Sequence, residues 1–183
     1  MTGWPDEAAA PQLRMGFRAF ETLARPEPPA GYALRSFRPG DEDAWLDILR
    51  EGDFGEWTRD RLDRLLAGAR APLPADGIFF LTAADRPIAT ACAFLFEERG
   101  EQISELGWVA AHPAHRGQGL ARVVCLAVLN YARGRGHRYT FLLTEYYRPA
   151  AIKTYLRLGF EPEMPDERHV AVWARLELEL LPL

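Results

Sequence analysis

The sequence predicts an α/β fold in which one central sheet of six to seven strands is combined with four helices. Strand-like runs, apolar at alternate positions or throughout, interleave with segments whose apolar residues recur every three or four positions. Residues that start and end helices stand where one pattern gives way to the other. With 183 residues, the chain is long enough for one well-buried domain and short for two.

The N-terminal segment differs from the rest of the chain. Residues 1–31 are rich in proline, and only the piece LRMGFRAFETLA has helical spacing. We interpret residues 1–31 as an extended arm that packs on the domain or forms part of an interface. The compact domain is expected to cover residues 32–183.

The first elements of that domain are a strand and two helices. The alternating run YALRSFRP is the strand. A helix over 41–51 follows, with Asp41 or a neighbour as its cap, and a second covers 58–68 with Thr58 as N-cap and Arg61 as the third helical residue. Hairpin turns at ADRP and ERGE then separate three strands, which are expected near 77–83, 87–97 and 102–111.

The second half of the chain alternates helix and strand. A helix begins near Gly119, because the apolar residues after it fall on one helical face. HRYTFLLTE predicts a strand, and 149–158 a fourth helix that starts at Pro149 and ends at Gly159. In the tail HVAVWARLELELLPL, apolar and charged residues alternate, which favours a final strand with one solvated face.

Composition excludes several classes of protein. The net charge of −4, without a basic run, argues against a nucleic-acid partner. No apolar run approaches the ~20 residues that span a bilayer, and MTGWPDEAAAPQ has no signal pattern, so no membrane partner and a cytoplasmic location are expected. Cys92 and Cys125 stand in apolar contexts without metal-ligand neighbours, which predicts buried, reduced thiols and no metal site.

The stretch HPAHRGQGLARVV places Gly117 and Gly119 in a strand-to-helix turn. The first amides of a helix lack intrahelical partners and attract anions, and glycines let a ligand approach the backbone closely. The turn therefore suits a phosphate. It lacks the Gly-Lys-Ser/Thr ending of a P-loop and the third small residue of a dinucleotide fingerprint, which would fall at Arg122.

These residues resemble motif A of the GCN5-related N-acetyltransferases, whose Gln/Arg-x-x-Gly-x-Gly/Ala pattern is met by Arg116, Gly119 and Ala121. RPAAIKTYLRLGFEP is similar to the family's motif B, with Arg148 where asparagine is usual. The resemblance covers roughly residues 32 to 178 and implies the family's fold with a mixed sheet. It also implies that acetyl-CoA is the cosubstrate and is held by Val109, Ala111, Arg116, Gly117, Gln118, Gly119, Leu120, Ala121 and Arg148.

The resemblance also points to catalytic residues. Glu105 interrupts an apolar strand where relatives carry a general base, although an ion-paired structural role, a water chain, or Glu97, Glu98 or Glu145 as base stays open. Tyr155 stands where a phenol can protonate the departing thiolate, because its reference pKa of about 10 lies above the thiol's reference value near 8.5. A buried core aromatic is the alternative reading of Tyr155.

The predicted function is acetyl-CoA-dependent transfer of an acetyl group to a primary amine of a small molecule or peptide by direct attack. O-acyl transfer, a longer acyl chain and a non-catalytic coenzyme A-binding regulatory module are alternatives. Aromatic residues accompanied by the acids Asp53 and Glu56 in the acceptor region suit a cationic amine. The identity of the acceptor and the presence of a homodimer are left open.

Overall fold

A computed structural model describes residues 10–52, 54–98 and 101–180, with the backbone alone for residues 97–98 and 178–180. The strands of this part of the chain are β1 (Leu13–Phe17), β2 (Ala33–Ser36), β3 (Ile78–Ala83), β4 (Arg86–Glu98), β5 (Glu101–Ala111), β6 (Tyr139–Thr144) and β7 (Glu161–Glu163). Its α-helices are α1 (Glu42–Arg50), α2 (Arg59–Leu66), α3 (Leu120–Gly134), α4 (Pro149–Leu158) and α5 (Glu167–Leu180).

The seven strands form one mixed sheet in the order β2-β3-β4-β5-β6-β1-β7. β5 and β6 run parallel, and each of the other described strand pairs is antiparallel. The α/β class and the mixed sheet predicted from the sequence are confirmed.

Each face of the sheet carries a hydrophobic core. One core contains Trp45 of α1 and Leu62 of α2, packed against Phe80 of β3 and Phe94 of β4. The other core joins α3, α4 and α5 to the residues of β1, β4 and β6 that point to the opposite face. The sheet is thus covered on both sides, as the apolar runs of its central strands indicate.

Local helix and turn signals are found where the sequence predicts them. The hydroxyl of Thr58 accepts a hydrogen bond from the Arg61 amide at 3.2 Å and caps α2. Gly159 ends α4 in the left-handed conformation. The turn between β3 and β4 forms at Ala84 and Asp85, both with positive φ, whereas the turn predicted at ERGE includes residues 99–100, which lie outside the described part of the chain.

Although LRMGFRAFETLA has helical spacing, its residues Leu13–Phe17 form the extended strand β1, which lies between β6 and the edge strand β7. A Cβ at Gly16 would lie 2.9 Å from the ring of Tyr139 and 2.5 Å from the carboxylate of Glu163, so glycine permits the close approach of these side chains to β1. Close pairing with two distant strands therefore overrides local helical spacing. The domain boundary at residue 32 stays a prediction.

The tail is a fifth helix, so the predicted final strand and the count of four helices are both corrected. Val172, Trp173 and Leu176 are buried in the core, and this spacing is helical. Asp166 caps the helix, since its Oδ1 accepts from the amides of Arg168 at 2.9 Å and His169 at 3.2 Å. Val172, Ala174, Leu176 and Leu178 also fit a two-residue period, in which Trp173 falls on the other face, and that ambiguity produced the error.

Candidate active site

A cleft opens where the two parallel strands of the sheet separate. β5 and β6 pair with each other only from Ile103 to Glu105 on the β5 side. Past Glu105, β5 stays paired with β4 on its other edge, and β6 stays paired with β1. The resulting cleft has a volume of about 510 Å³. It is lined by the diverging strands, by α2 and the loop before it, and by α4.

A β-bulge shapes the β5 wall of this cleft. The pairing with β4 passes from Cys92–Gly107 to Thr90–Ala110, so two β5 residues lie opposite one β4 residue. Trp108 takes a positive φ of 50° at this point. Of the two β5 residues that the sequence predicts to hold acetyl-CoA, Val109 lines the cleft, whereas Ala111 lies outside its lining.

Glu105 enters the cleft from the face of the sheet that α1 and α2 cover. Its side chain is only 5% exposed, and its Oε1 lies 2.7 Å from Nη2 of Arg70. Burial raises the pKa of Glu105 above its usual value, and the charge and hydrogen bond of Arg70 offset this only in part. Glu105 is therefore a buried carboxylate with increased affinity for a proton.

Tyr155 reaches the same cleft from α4, which packs on the opposite face of the sheet. Burial raises the pKa of the Tyr155 phenol well above its ordinary value. The phenol therefore keeps its proton at neutral pH and can act only as a donor or a neutral acceptor. Its ring also packs against Phe160 at 6.0 Å, so it contributes to the core as well.

The predicted anion turn is open to a ligand. Gly117 and Gly119 have φ values of +77° and +74°, and a Cβ built on either would meet no atom within 4 Å. Gly119 directly precedes α3, whose first residues Leu120 and Ala121 present unpaired helical amides. Gln118 is held by the hydroxyl of Tyr32, which donates to its Oε1 at 2.8 Å.

Two arginines connect this turn and the cleft to the loop between α1 and α2. Arg116 donates to the carbonyls of Ala111 at 3.2 Å and Glu51 at 2.6 Å. Arg148 donates to the carbonyl of Gly52 at 3.4 Å, and its guanidinium lies 4.6 Å from the ring centre of Phe54. Both side chains thus hold neighbouring loop residues, in addition to the phosphate contacts that the sequence predicts for them.

The cleft brings together Glu105, Val109, Tyr155 and Arg148. The predicted residues of the turn, from Arg116 to Ala121, do not line it. Of the alternative bases, Glu145 does line it, whereas the side chains of Glu97 and Glu98 lie outside the described part of the chain.

Sequence reasoning identified Arg148 and missed three other arginines of this site. Arg61 and Arg64 of α2 and Arg70 of the following loop all line the cleft. The spacing of Arg61 and Arg64 could have indicated that both line one site, because residues three apart lie on one helical face. The pairing of Arg70 with Glu105 spans 35 positions and has no local signal.

Further properties of the described residues bear on the earlier expectations. Cys92 and Cys125 are both buried and free. No cluster of three or more His, Cys, Asp or Glu side chains suited to a metal is found within the described ranges. Nor does any helix there have the length and apolar character needed to cross a bilayer.

Comparison with known proteins gives a consistent picture. Residues 42–160 match the Acetyltransferase (GNAT) family. The chain is 34% identical over 151 residues to the mycothiol acetyltransferase of Thermobispora bispora, covering 75% of this chain and 49% of that protein. It is 30% identical over 152 residues to the mycothiol acetyltransferase of Nocardia farcinica, covering 78% and 50%.

The chain therefore spans about half the length of these curated relatives. Among solved structures, the GCN5-related N-acetyltransferase from Sphaerobacter thermophilus superimposes with a TM-score of 0.66 at 23% identity, covering 83% of this chain and 48% of that one. This similarity shows a shared fold.

Proposed function

This chain belongs to the acetyltransferase (GNAT) family, and we propose that it transfers an acetyl group from acetyl-CoA to a primary amine of a small molecule or peptide by direct attack. One observation carries this proposal most strongly. A buried carboxylate and a buried phenol, supplied from opposite faces of the sheet, meet at the cleft between β5 and β6. Direct transfer needs a proton acceptor and a proton donor on the two sides of one reacting carbon.

The cosubstrate fits the residues that are present. When bound, acetyl-CoA supplies the thioester carbonyl that the amine attacks. The open turn at Gly117 and Gly119 provides close backbone approach, and the start of α3 provides amides for the pyrophosphate. Past Glu105, the gap between β5 and β6 leaves the β6-facing edge of β5 without a strand partner, so that part of the edge is available to the pantetheine chain.

Glu105 is the proposed proton acceptor. An amine is protonated at neutral pH and must lose a proton before it can attack, and a carboxylate with a raised pKa is a better base than an ordinary one. The Arg70 cation lowers the pKa of Glu105 and thereby favours the ionised form that this role needs. The backbone of β5 around the Trp108 bulge is the proposed donor set for the developing oxyanion.

Tyr155 is the proposed proton donor to the departing thiolate. The proton balance closes within the cleft: Glu105 takes one proton from the amine, and Tyr155 gives one to the sulfur. Solvent then restores both groups. Because burial raises the pKa of Tyr155, the phenol is protonated at the start of each turnover.

The relatives are named for mycothiol, and this chain spans about half of their length. We therefore propose that this chain shares acetyl transfer with the relatives, here to an amine, and we do not propose their substrate. A coenzyme A-binding module without turnover is the competing reading, and O-acyl or longer-chain transfer would use the same cleft.

The test is Tyr155→Phe, which keeps the ring against Phe160 and removes only the hydroxyl. We expect acetyl-CoA affinity and the unfolding midpoint to be nearly unchanged, while kcat falls on the order of 10²-fold. Release of coenzyme A thiol from acetyl-CoA with a panel of amines is the measurement. Tyr155→Ala, by contrast, is expected to destabilise the protein by roughly 3–5 kcal/mol through the cavity it leaves.

Tyr147→Phe is the matched control, because Tyr147 is 55% exposed and lies outside the cleft lining. It should leave kcat unchanged. Full activity in Tyr155→Phe would remove the tyrosine from catalysis. Binding of acetyl-CoA without release of thiol for any acceptor would favour the non-catalytic module.

A further inference from the structure

We propose that the acceptor amine also carries an anionic group, a carboxylate or a phosphate, and that Arg64 binds this group with support from Arg61. The inference rests on the proposed N-acetyltransferase function and names the chemical class of its acceptor. It follows from the charges on the α2 wall of the cleft.

That wall presents two guanidinium groups side by side. Arg61, Arg64 and Leu65 stand three and four positions apart on α2, and all of them line the cleft. Leu65 is buried in the core and thereby sets which face of α2 turns inward. The two arginines consequently occupy the rim of that inward face.

The two arginines differ in how far they are already engaged. Arg61 donates to the carbonyl of Glu56, and its guanidinium lies 4.3 Å from the ring centre of Trp57, so it is held in place. Arg64 is exposed, and its guanidinium makes no hydrogen bond or ion pair with any residue that the structure describes. Arg64 is therefore a cation facing the cleft with its donors available.

The acidic side chains of the cleft do not neutralise this wall. Glu105 is paired with Arg70, and Glu145 accepts a hydrogen bond from the Gln12 amide at 2.9 Å. Of the acids on α2 itself, Asp63 pairs with Arg59, and neither Asp60 nor Asp63 lines the cleft. The α2 wall thus keeps a positive charge that an acceptor would meet.

A guanidinium fork matches carboxylate and phosphate oxygens with two parallel hydrogen bonds, and such charge-assisted bonds strengthen in a partly dehydrated cleft. The phosphates of acetyl-CoA are proposed to lie at the glycine turn, whose residues do not line the cleft, so the α2 arginines are left for the other substrate. The expectation of a purely cationic amine relied on Asp53 and Glu56. Asp53 lies outside the described residues, and Glu56 does not line this cleft.

The experiment compares amines with and without the anion. Linear ω-amino carboxylates and ω-aminoalkyl phosphates of graded length are paired with their carboxamide and alcohol counterparts, and thiol release is measured for wild type, Arg64→Gln and Arg59→Gln. Arg59 makes a matched control, since it lies on the same helix, outside the cleft lining, and is engaged by Asp43 and Asp63. The carboxylate and phosphate series show which anion is preferred.

We expect wild type to prefer the anionic member of at least one pair by about tenfold or more in kcat/KM, the scale of one charge-assisted contact. Arg64→Gln should abolish this preference by raising KM for the anionic amine, and leave the neutral amine unaffected. Arg59→Gln should behave as wild type. Equal use of both members by wild type, or an equal loss for both in Arg64→Gln, would overturn the inference.

Calorimetric binding of the same probes to the coenzyme A-saturated protein separates this inference from the proposed reaction. Tighter binding of anionic probes that Arg64→Gln abolishes supports the anion subsite, even if no probe is acetylated. Equal binding of anionic and neutral probes refutes the subsite, even if the neutral amines are acetylated normally.

Discussion

Two carboxylate–arginine pairs in this protein have the same chemistry, but the pKa of the carboxylate is lowered in one and raised in the other. Asp41, beside α1, accepts from Arg35 at 2.6 and 2.8 Å and from the Arg38 amide at 2.7 Å. Burial opposes its ionisation, yet these hydrogen bonds hold the pKa of Asp41 below its usual value. Glu105 is buried with one ion pair to a half-exposed Arg70, and its pKa is raised.

The difference shows what distinguishes a structural anchor from a reactive group. The carboxylate of Asp41 is satisfied by three donors, so it is fixed as an anion and ties β2 to α1. Glu105 has lost hydration without gaining enough donors to replace it. A buried carboxylate in a cleft with unused acceptor capacity is suited to proton transfer, whereas a satisfied one is suited to stability.

The largest expected effect is on stability and comes from breaking the Arg35–Asp41 pair. Arg35→Gln leaves Asp41 partly buried without its bidentate partner, and we expect unfolding by denaturant to show a loss of roughly 3 kcal/mol. Kinetic constants of the folded variant should stay at wild-type values, since neither residue lines the cleft. An unchanged free energy of unfolding would show that the Arg35–Asp41 pair is not an anchor.

The second-largest expected effect is on the reaction rate and comes from replacing Glu105. Glu105→Gln removes the proposed base, so the rate at neutral pH should fall on the order of 10²-fold. The loss should shrink at high pH, where the acceptor amine is already neutral. The pH dependence of kcat/KM is the measurement.

Glu145→Gln is the matched control for Glu105→Gln, because Glu145 is another carboxylate in the same cleft. It should keep wild-type activity. A loss in Glu105→Gln that is the same at every pH would argue for a structural role, and an equal loss in Glu145→Gln would reopen the assignment of the base.

The smallest expected effect comes from replacing Arg70, the ion-pair partner of Glu105. The Arg70 cation lowers the pKa of Glu105, so Arg70→Gln should raise it further. The acid limb of the kcat/KM profile then moves to higher pH, and activity at neutral pH falls by about tenfold and recovers as pH rises.

Arg64→Gln with a neutral acceptor serves as the comparison for Arg70→Gln, since it removes a cation from the same cleft without touching Glu105. Its acid limb should not move. If the acid limb of the kcat/KM profile keeps its position in Arg70→Gln, or shifts equally in both variants, the proposed coupling between Arg70 and Glu105 is contradicted.

Much of the fold and part of the site could be predicted from the sequence. The cap at Thr58, the turn at Ala84, the open glycines before α3 and the end of α4 at Gly159 all form at the predicted positions. Each depends on hydrogen bonds or backbone conformations within a few residues, so the amino acids at those positions suffice. Glu105 and Tyr155 could be singled out for a related reason, since Glu105 interrupts an apolar strand and Tyr155 stands four positions before Gly159, and both signals are local.

The tertiary structure alone decided the remainder. β1 lies between β6 and β7, where Arg14 pairs with Leu143 of β6 and with Glu163 of β7. Local spacing in the sequence cannot predict a pairing between strands so far apart along the chain. The apolar residues of the tail fit both a helix and a strand, and packing of Trp173 into the core selected the helix. The separation of β5 from β6 after Glu105, the Arg70 ion pair and the arginine-lined α2 wall all join segments far apart in sequence. The sequence by itself determined structure that depends on near neighbours, and only folding decided which distant groups share a cleft, because burial and pairing energies act through space.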